Sequence, residues 1–92
     1  MPYIKEKARR KFLNYDEGYV SNLDAIGDHI TNTGELNYVL TYLVQKYYYD
    51  HGMNYKAIND VLGAMEGAKL EFYRRIAAPY EDKKIVLNGD VY

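Results

Sequence analysis

Four groups of side chains have the types and spacing to hold an anion. Tyr73-Arg74-Arg75 puts one ring beside two guanidinium groups, and Tyr80 is followed at three and four residues by Lys83-Lys84. Arginine offers a planar fork that matches phosphate oxygens, lysine adds point charge, and tyrosine supplies a stacking face. Residues 1–13 carry Lys5, Lys7, Arg9, Arg10 and Lys11 against Glu6 alone. Tyr38, Tyr42 and Tyr49 recur at helical spacing as a second aromatic stripe. The ligand set this suggests is Tyr73, Arg74, Arg75, Tyr80, Lys83 and Lys84, followed by Arg9, Arg10 and Tyr38. The same cations have a plainer alternative, which is pairing with Glu71, Glu81 and Asp82 or lying solvated.

Catalytic chemistry finds little support. Cysteine is absent, which excludes a disulfide framework, a thiol nucleophile and Cys-ligated zinc. His29 and His51 are too far apart in sequence for a compact metal motif, so no metal and no cofactor is expected. No nucleophile elbow, Walker loop or dinucleotide fingerprint is present. The expectation is a protein that is not an enzyme.

Twelve Lys+Arg against 13 Asp+Glu leave a net charge of −1, without the basic excess of a general nucleic-acid binder. No apolar run approaches the roughly 18 residues of a membrane span, so a soluble cytoplasmic chain is expected, without membrane contact. The aromatic set is unusual, with 12 Tyr, 2 Phe and no Trp. Tyrosine buries a ring yet keeps a hydroxyl that needs a partner, which suits contact surfaces better than dry cores. Ninety-two residues make one small domain with a marginal core, and self-association is a common remedy. A homo-dimer or tetramer is therefore expected.

Helical periodicity sets the elements that must position these groups. A basic segment over 1–13 contains a short helix from residue 4, and turn chemistry follows at Asn14–Gly18. A second short helix spans about 20–31 on Leu23, Ile26 and Ile30. Thr33 is the expected N-cap of a hairpin over 34–77. Its first arm, 34–51, carries Leu36, Val39, Leu40, Leu43, Val44 and Tyr47. Gly52 stops it, and Asn54 caps the second arm, 55–77, with Ile58, Val61, Leu62, Met65, Phe72 and Ile76. Pro79 is expected to end or kink that arm, leaving 79–92 as a short C-terminal helix and tail stopped at Gly89. The fold class is all-α, an antiparallel two-helix hairpin with short N-terminal helices, in a single domain over 1–92.

Gly63 and Gly67 interrupt the second arm at about 1 kcal/mol each relative to alanine. Small residues four apart permit close approach of another backbone. Packing within the protomer, a subunit contact and a ligand contact all remain open for this pair. Tyr42 and Tyr49 join the two glycines as expected oligomer-contact residues.

Several blocks resemble a small family of helical proteins of unknown function encoded by phages and prokaryotes. They are Gly34-Glu35-Leu36-Asn37-Tyr38-Val39, Ile58-Asn59-Asp60-Val61, Lys69-Leu70-Glu71-Phe72-Tyr73-Arg74-Arg75, Ala78-Pro79-Tyr80-Glu81-Asp82-Lys83-Lys84-Ile85 and Asn88-Gly89-Asp90-Val91-Tyr92. The resemblance covers about residues 33–92, and the amino end more loosely through Met1-Pro2-Tyr3-Ile4. Small phage proteins of this kind resemble antagonists of host defence, including anti-CBASS-type sponges. The resemblance thus implies an immune-evasion protein of the host cytoplasm that sequesters a cyclic dinucleotide, or a related anionic nucleotide, without cleaving it. A module that blocks a host defence protein through its tyrosine-rich helix face is the alternative, and a virion scaffold component a third.

Overall fold

A computed structural model describes residues 2–13 and 22–92. Within them the chain is all-helical. Helix α1 spans Glu6–Leu13 and α2 spans Asn22–His29. The turn expected at residues 14–18 lies outside the described residues. Helices α3 (Thr33–Asp50) and α4 (Tyr55–Phe72) form the hairpin. A π-helical turn, Tyr73–Ala77, then leads into α5, Ala78–Asn88.

The N-cap of α3 is Asn32 rather than Thr33. Asn32 has extended backbone (φ −153°, ψ 170°), and its Oδ1 accepts the Glu35 amide at 2.8 Å. Glu35 reaches back in turn, accepting from the Thr31 amide at 2.8 Å and the Thr31 hydroxyl at 2.9 Å. These two bonds hold the Glu35 carboxyl below its ordinary pKa. Amide and carboxylate thus satisfy orphan donors reciprocally across the helix start, which leaves Thr33 as the first helical residue. Asn54 caps α4 as expected, its Oδ1 accepting the Ala57 amide at 2.9 Å.

Between the arms, Gly52 stops α3 at φ +99°, a left-handed conformation that glycine adopts without strain. Close to this turn the Tyr47 hydroxyl donates to Asp60 at 3.0 Å, and Lys56 meets the same carboxylate at 3.0 Å. Further along, Val44 lies beside Val61, and Leu40 shares a groove with Leu62, Met65 and Ala68. Residue numbers rise on one arm as they fall on the other, so the hairpin is antiparallel.

Pro79 neither ends nor breaks the second arm. Proline lacks an amide donor, and its ring crowds the carbonyl four residues back. The π turn relieves that crowding just upstream, because the Ala78 amide reaches back five residues to the Tyr73 carbonyl. Ala78 itself stays helical at φ −62°, ψ −48°, despite the usual restriction before proline. The expected short C-terminal helix is therefore a continuation of the second arm. From Tyr55 to Asn88 this rod would run about 50 Å at 1.5 Å per residue, and the longest dimension of the molecule is 48 Å. Gly89 ends it as expected, at φ +89°, with its amide donating to the Ile85 carbonyl at 2.9 Å.

A hairpin of this kind is one layer thick, and the core reflects that. Among the described residues only Ala57, 1 % exposed, is a buried hydrophobic. Leucines at 36, 40, 43, 62 and 70 all remain exposed. The radius of gyration is 17.1 Å, whereas a compact 92-residue domain has about 12 Å.

The cap assignment has a direct consequence for stability. Asn32→Ala is expected to cost about 1 kcal/mol and to lower the melting temperature by roughly 4–8 °C. Thr33→Ala should cost only a few tenths of that, and thermal melts followed by circular dichroism compare the two.

Candidate ligand-binding surface

The π turn gathers the strongest polar cluster, and its centre is Glu71. The side chain of Glu71 is 20 % exposed and stands one helical turn before the arginines. The Tyr3 hydroxyl donates to its Oε1 at 2.5 Å, and Arg75 Nε donates to the same oxygen at 3.0 Å. Arg74 Nη2 also donates to that oxygen. The Arg75 guanidinium further lies 5.7 Å from the Tyr3 ring centre. Donation from Tyr3 first, and then from Arg74 and Arg75, lowers the Glu71 carboxyl to about 2. Spacings of three and four residues put both arginines on the Glu71 side of the helix. Tyr3 arrives from the other end of the chain and ties the amino-terminal segment to α4.

Arg74 and Arg75 are therefore both engaged by an internal carboxylate. Tyr73 is likewise committed, donating to Glu81 at 2.9 Å, a bond that raises its phenol pKa. Ion pairs of the two arginines and the hydrogen bond of Tyr73, all within the protomer, account for these three residues as they stand. Tyr80 differs, since its ring is exposed and the Lys84 ammonium sits 5.4 Å from its centre. Lys83 makes no ion pair among the described residues, and the same holds for Arg10. Arg9 Nε donates locally to the Ile4 carbonyl at 2.8 Å.

The nine expected ligand residues thus divide among separate places. Tyr73, Arg74 and Arg75 crowd the π turn, while Tyr80, Lys83 and Lys84 follow on α5. Arg9 and Arg10 belong to α1, and Tyr38 edges a recess between α2 and α3 with Ile26, His29, Ile30 and Val39. Tyr42 and Tyr49 are exposed on α3. Gly63 faces open space, with nothing within 4 Å of where a Cβ would stand, so packing inside the protomer does not explain it. Gly67 is half-buried. Among the described residues no three His, Asp or Glu side chains cluster as a metal site, and no helix is long and apolar enough to cross a membrane.

The sequence reading names Glu71 and Glu81 as acids these groups could pair with, and both are engaged. It misses Tyr3, because 68 residues separate it from its acceptor.

Comparison with known proteins places this arrangement in a family. One family model matches residues 1–91, nearly the whole chain. The chain belongs to the DUF6899 family, described as a domain of unknown function. No curated protein and no solved structure matches it. In this DUF6899 chain the π turn, the Glu71 node and the lysines of α5 are the features on which a function must be argued.

The sign of the Glu71 shift gives a pH prediction. Its folded pKa lies below the ordinary value of 4.5, so its contribution is present above about 4.5 and is lost as pH falls toward about 2. The amide signals of residues 3–5 are expected to move toward an undocked state in an acid NMR titration through that window. In Glu71→Gln the same signals should already be undocked at neutral pH and insensitive to the titration.

Proposed function

We propose that this protein is a non-catalytic binding module that acts by macromolecular contact, first with copies of itself and then with a partner protein. The supporting observation is its surface. The accessible area is 8365 Å², against about 5,500 Å² for a compact protein of this mass. Large side chains on both arms stand unsatisfied in a single protomer, and the exposed Tyr38, Tyr42 and Tyr49 extend this surface around α3. Tyrosine and arginine are the residue types most enriched at binding hot spots. The sequence itself, without a nucleophile, metal or dinucleotide motif, supports the non-catalytic part of the proposal.

A second reading, sequestration of a cyclic dinucleotide or related anionic nucleotide, is favoured by one specific feature. Tyr80, Lys83 and Lys84 present an exposed ring and two ammonium groups on one helix without an acidic ion-pair partner among the described residues. Under either reading the proposed setting is the cytoplasm of a phage-infected cell, with antagonism of host defence as the role.

Light-scattering mass and thermal melts with a panel of cyclic di- and trinucleotides test the proposal. The expected result is a mass at a multiple of 10.8 kDa and no nucleotide-dependent shift. A nucleotide at 100 times its Kd would add about 2.7 kcal/mol and raise the melting temperature by several degrees. That outcome replaces the protein-contact reading with the nucleotide one. A mass of one chain at micromolar concentration overturns self-assembly.

A further inference from the structure

Charge is divided unevenly along the chain. Lys5, Lys7, Arg9, Arg10 and Lys11 stand against Glu6 alone, a net +4, while the remaining residues sum to −5. These side chains are all exposed on or just before α1, and none forms an ion pair among the described residues. Arg9 has only its local bond to the Ile4 carbonyl. A dense run of unpaired cations on an otherwise acidic chain is complementary to an anionic surface outside it.

Apolar groups lie among those cations. Ala8 and Phe12 are four residues apart on one side of α1, with Lys7 and Lys11 along one flank and Arg9 along the other. Phe12 is 41 % exposed, and the Lys11 ammonium lies 5.1 Å from its ring centre. Ile4, just before the helix, is 46 % exposed. Leu13, the half-buried side chain of α1, lies roughly 120° round the helix from the Ala8–Phe12 stripe. Helix α1 packs against α2, and Tyr3 ties its leading end to Glu71. The helix is thus held on the molecule while its stripe and its cations face solvent.

We propose that α1 is a peripheral membrane contact, lying flat among the headgroups of anionic phospholipids with Phe12 and Ile4 at the acyl boundary. Lipid phosphates match the cations, and the layer beneath them accepts the apolar stripe. A nucleic-acid backbone supplies the first without the second. At 1.5 Å per residue this eight-residue helix is about 12 Å long, so a flat pose brings its cations within roughly one Debye length of the surface. Each Lys or Arg at that range raises the partition about fivefold. The acidic remainder of the chain is repelled, which turns the hairpin away from the bilayer. The expectation of no membrane contact rests on the lack of an apolar span, and a helix lying on the headgroups needs none. This contact is independent of the self-association proposed above.

Flotation of the full chain with phosphatidylcholine vesicles, with and without phosphatidylglycerol, tests the contact. The wild type is expected to float with the anionic vesicles alone and to be released by high salt. Lys7→Glu combined with Arg10→Glu neutralises the segment at exposed positions and should weaken binding by at least about a hundredfold, with helical signal retained. Lys46→Glu combined with Lys69→Glu removes the same charge from the hairpin arms and should leave flotation within about twofold. The chain has no tryptophan, so Phe12→Trp is a unique reporter. Its emission should shift to the blue on anionic vesicles, whereas that of Tyr92→Trp, on the exposed tail, should not. Failure of the wild type to float with anionic vesicles overturns the proposal, as does equal weakening by the two double variants. Flotation with an unshifted Phe12→Trp emission overturns the seating of α1 in the headgroups. Tighter binding to a duplex or single-stranded oligonucleotide than to vesicles at matched phosphate reassigns the cations to nucleic acid.

Discussion

Apolar burial is the constraint on which the rest of this structure depends, because a single layer of helices cannot supply it. Two arms that meet edge to edge cover one strip each, and every other apolar side chain stays in contact with water. At about 25 cal/mol for each Å² of apolar surface removed, hydrophobic burial is the main term opposing the entropy of an ordered chain. One fully buried alanine among the described residues contributes little to it. The long rod, the wide radius and the tyrosine-rich flanks are the features that support the proposed contact with other chains.

Polar interactions then fix geometry rather than supply the bulk of stability. Surface ion pairs such as Lys46–Asp50 and Lys56–Asp60 are exposed and hold side chains at a small net gain. The Glu71 node has a different role because it joins distant parts of the chain. Three donors converge on one carboxylate oxygen, two from the π turn and one from the amino-terminal segment. The π turn is central to that convergence. It carries the rod through Pro79, and its residues Arg74 and Arg75 reach the carboxylate to which Tyr3 is bonded.

Much of the fold was legible in the sequence where the physics is local. The apolar periods of residues 34–51 and 55–77, the stops at Gly52 and Gly89 and the cap at Asn54 each follow from preferences within a few residues. Local reasoning missed the cap of α3, and of its two alternatives at Pro79, an end or a kink, the structure rules out the end. Asn32 displaced Thr33 as a cap because its side chain, a better cap than Thr, accepts the Glu35 amide while Glu35 closes back on Thr31. Pro79 did not end the helix, since one widened turn made room for its ring. The site was less legible than the fold. Reading Arg74, Arg75 and Tyr73 as cations and rings identified them, but whether they face a ligand or an internal acid depends on where Glu71 and Glu81 stand.

The sequence by itself determined that the chain is helical, where its arms turn, and that a chain this short has a marginal core. These properties depend on backbone preference and side-chain period, which act over three to seven residues. Tertiary structure decided that the second arm and the C-terminal helix are one rod, that Tyr3 crosses the chain to Glu71, and that large apolar side chains on both arms stay exposed. Those outcomes turn on distances between residues far apart in the chain, and such distances are set only when the helices pack.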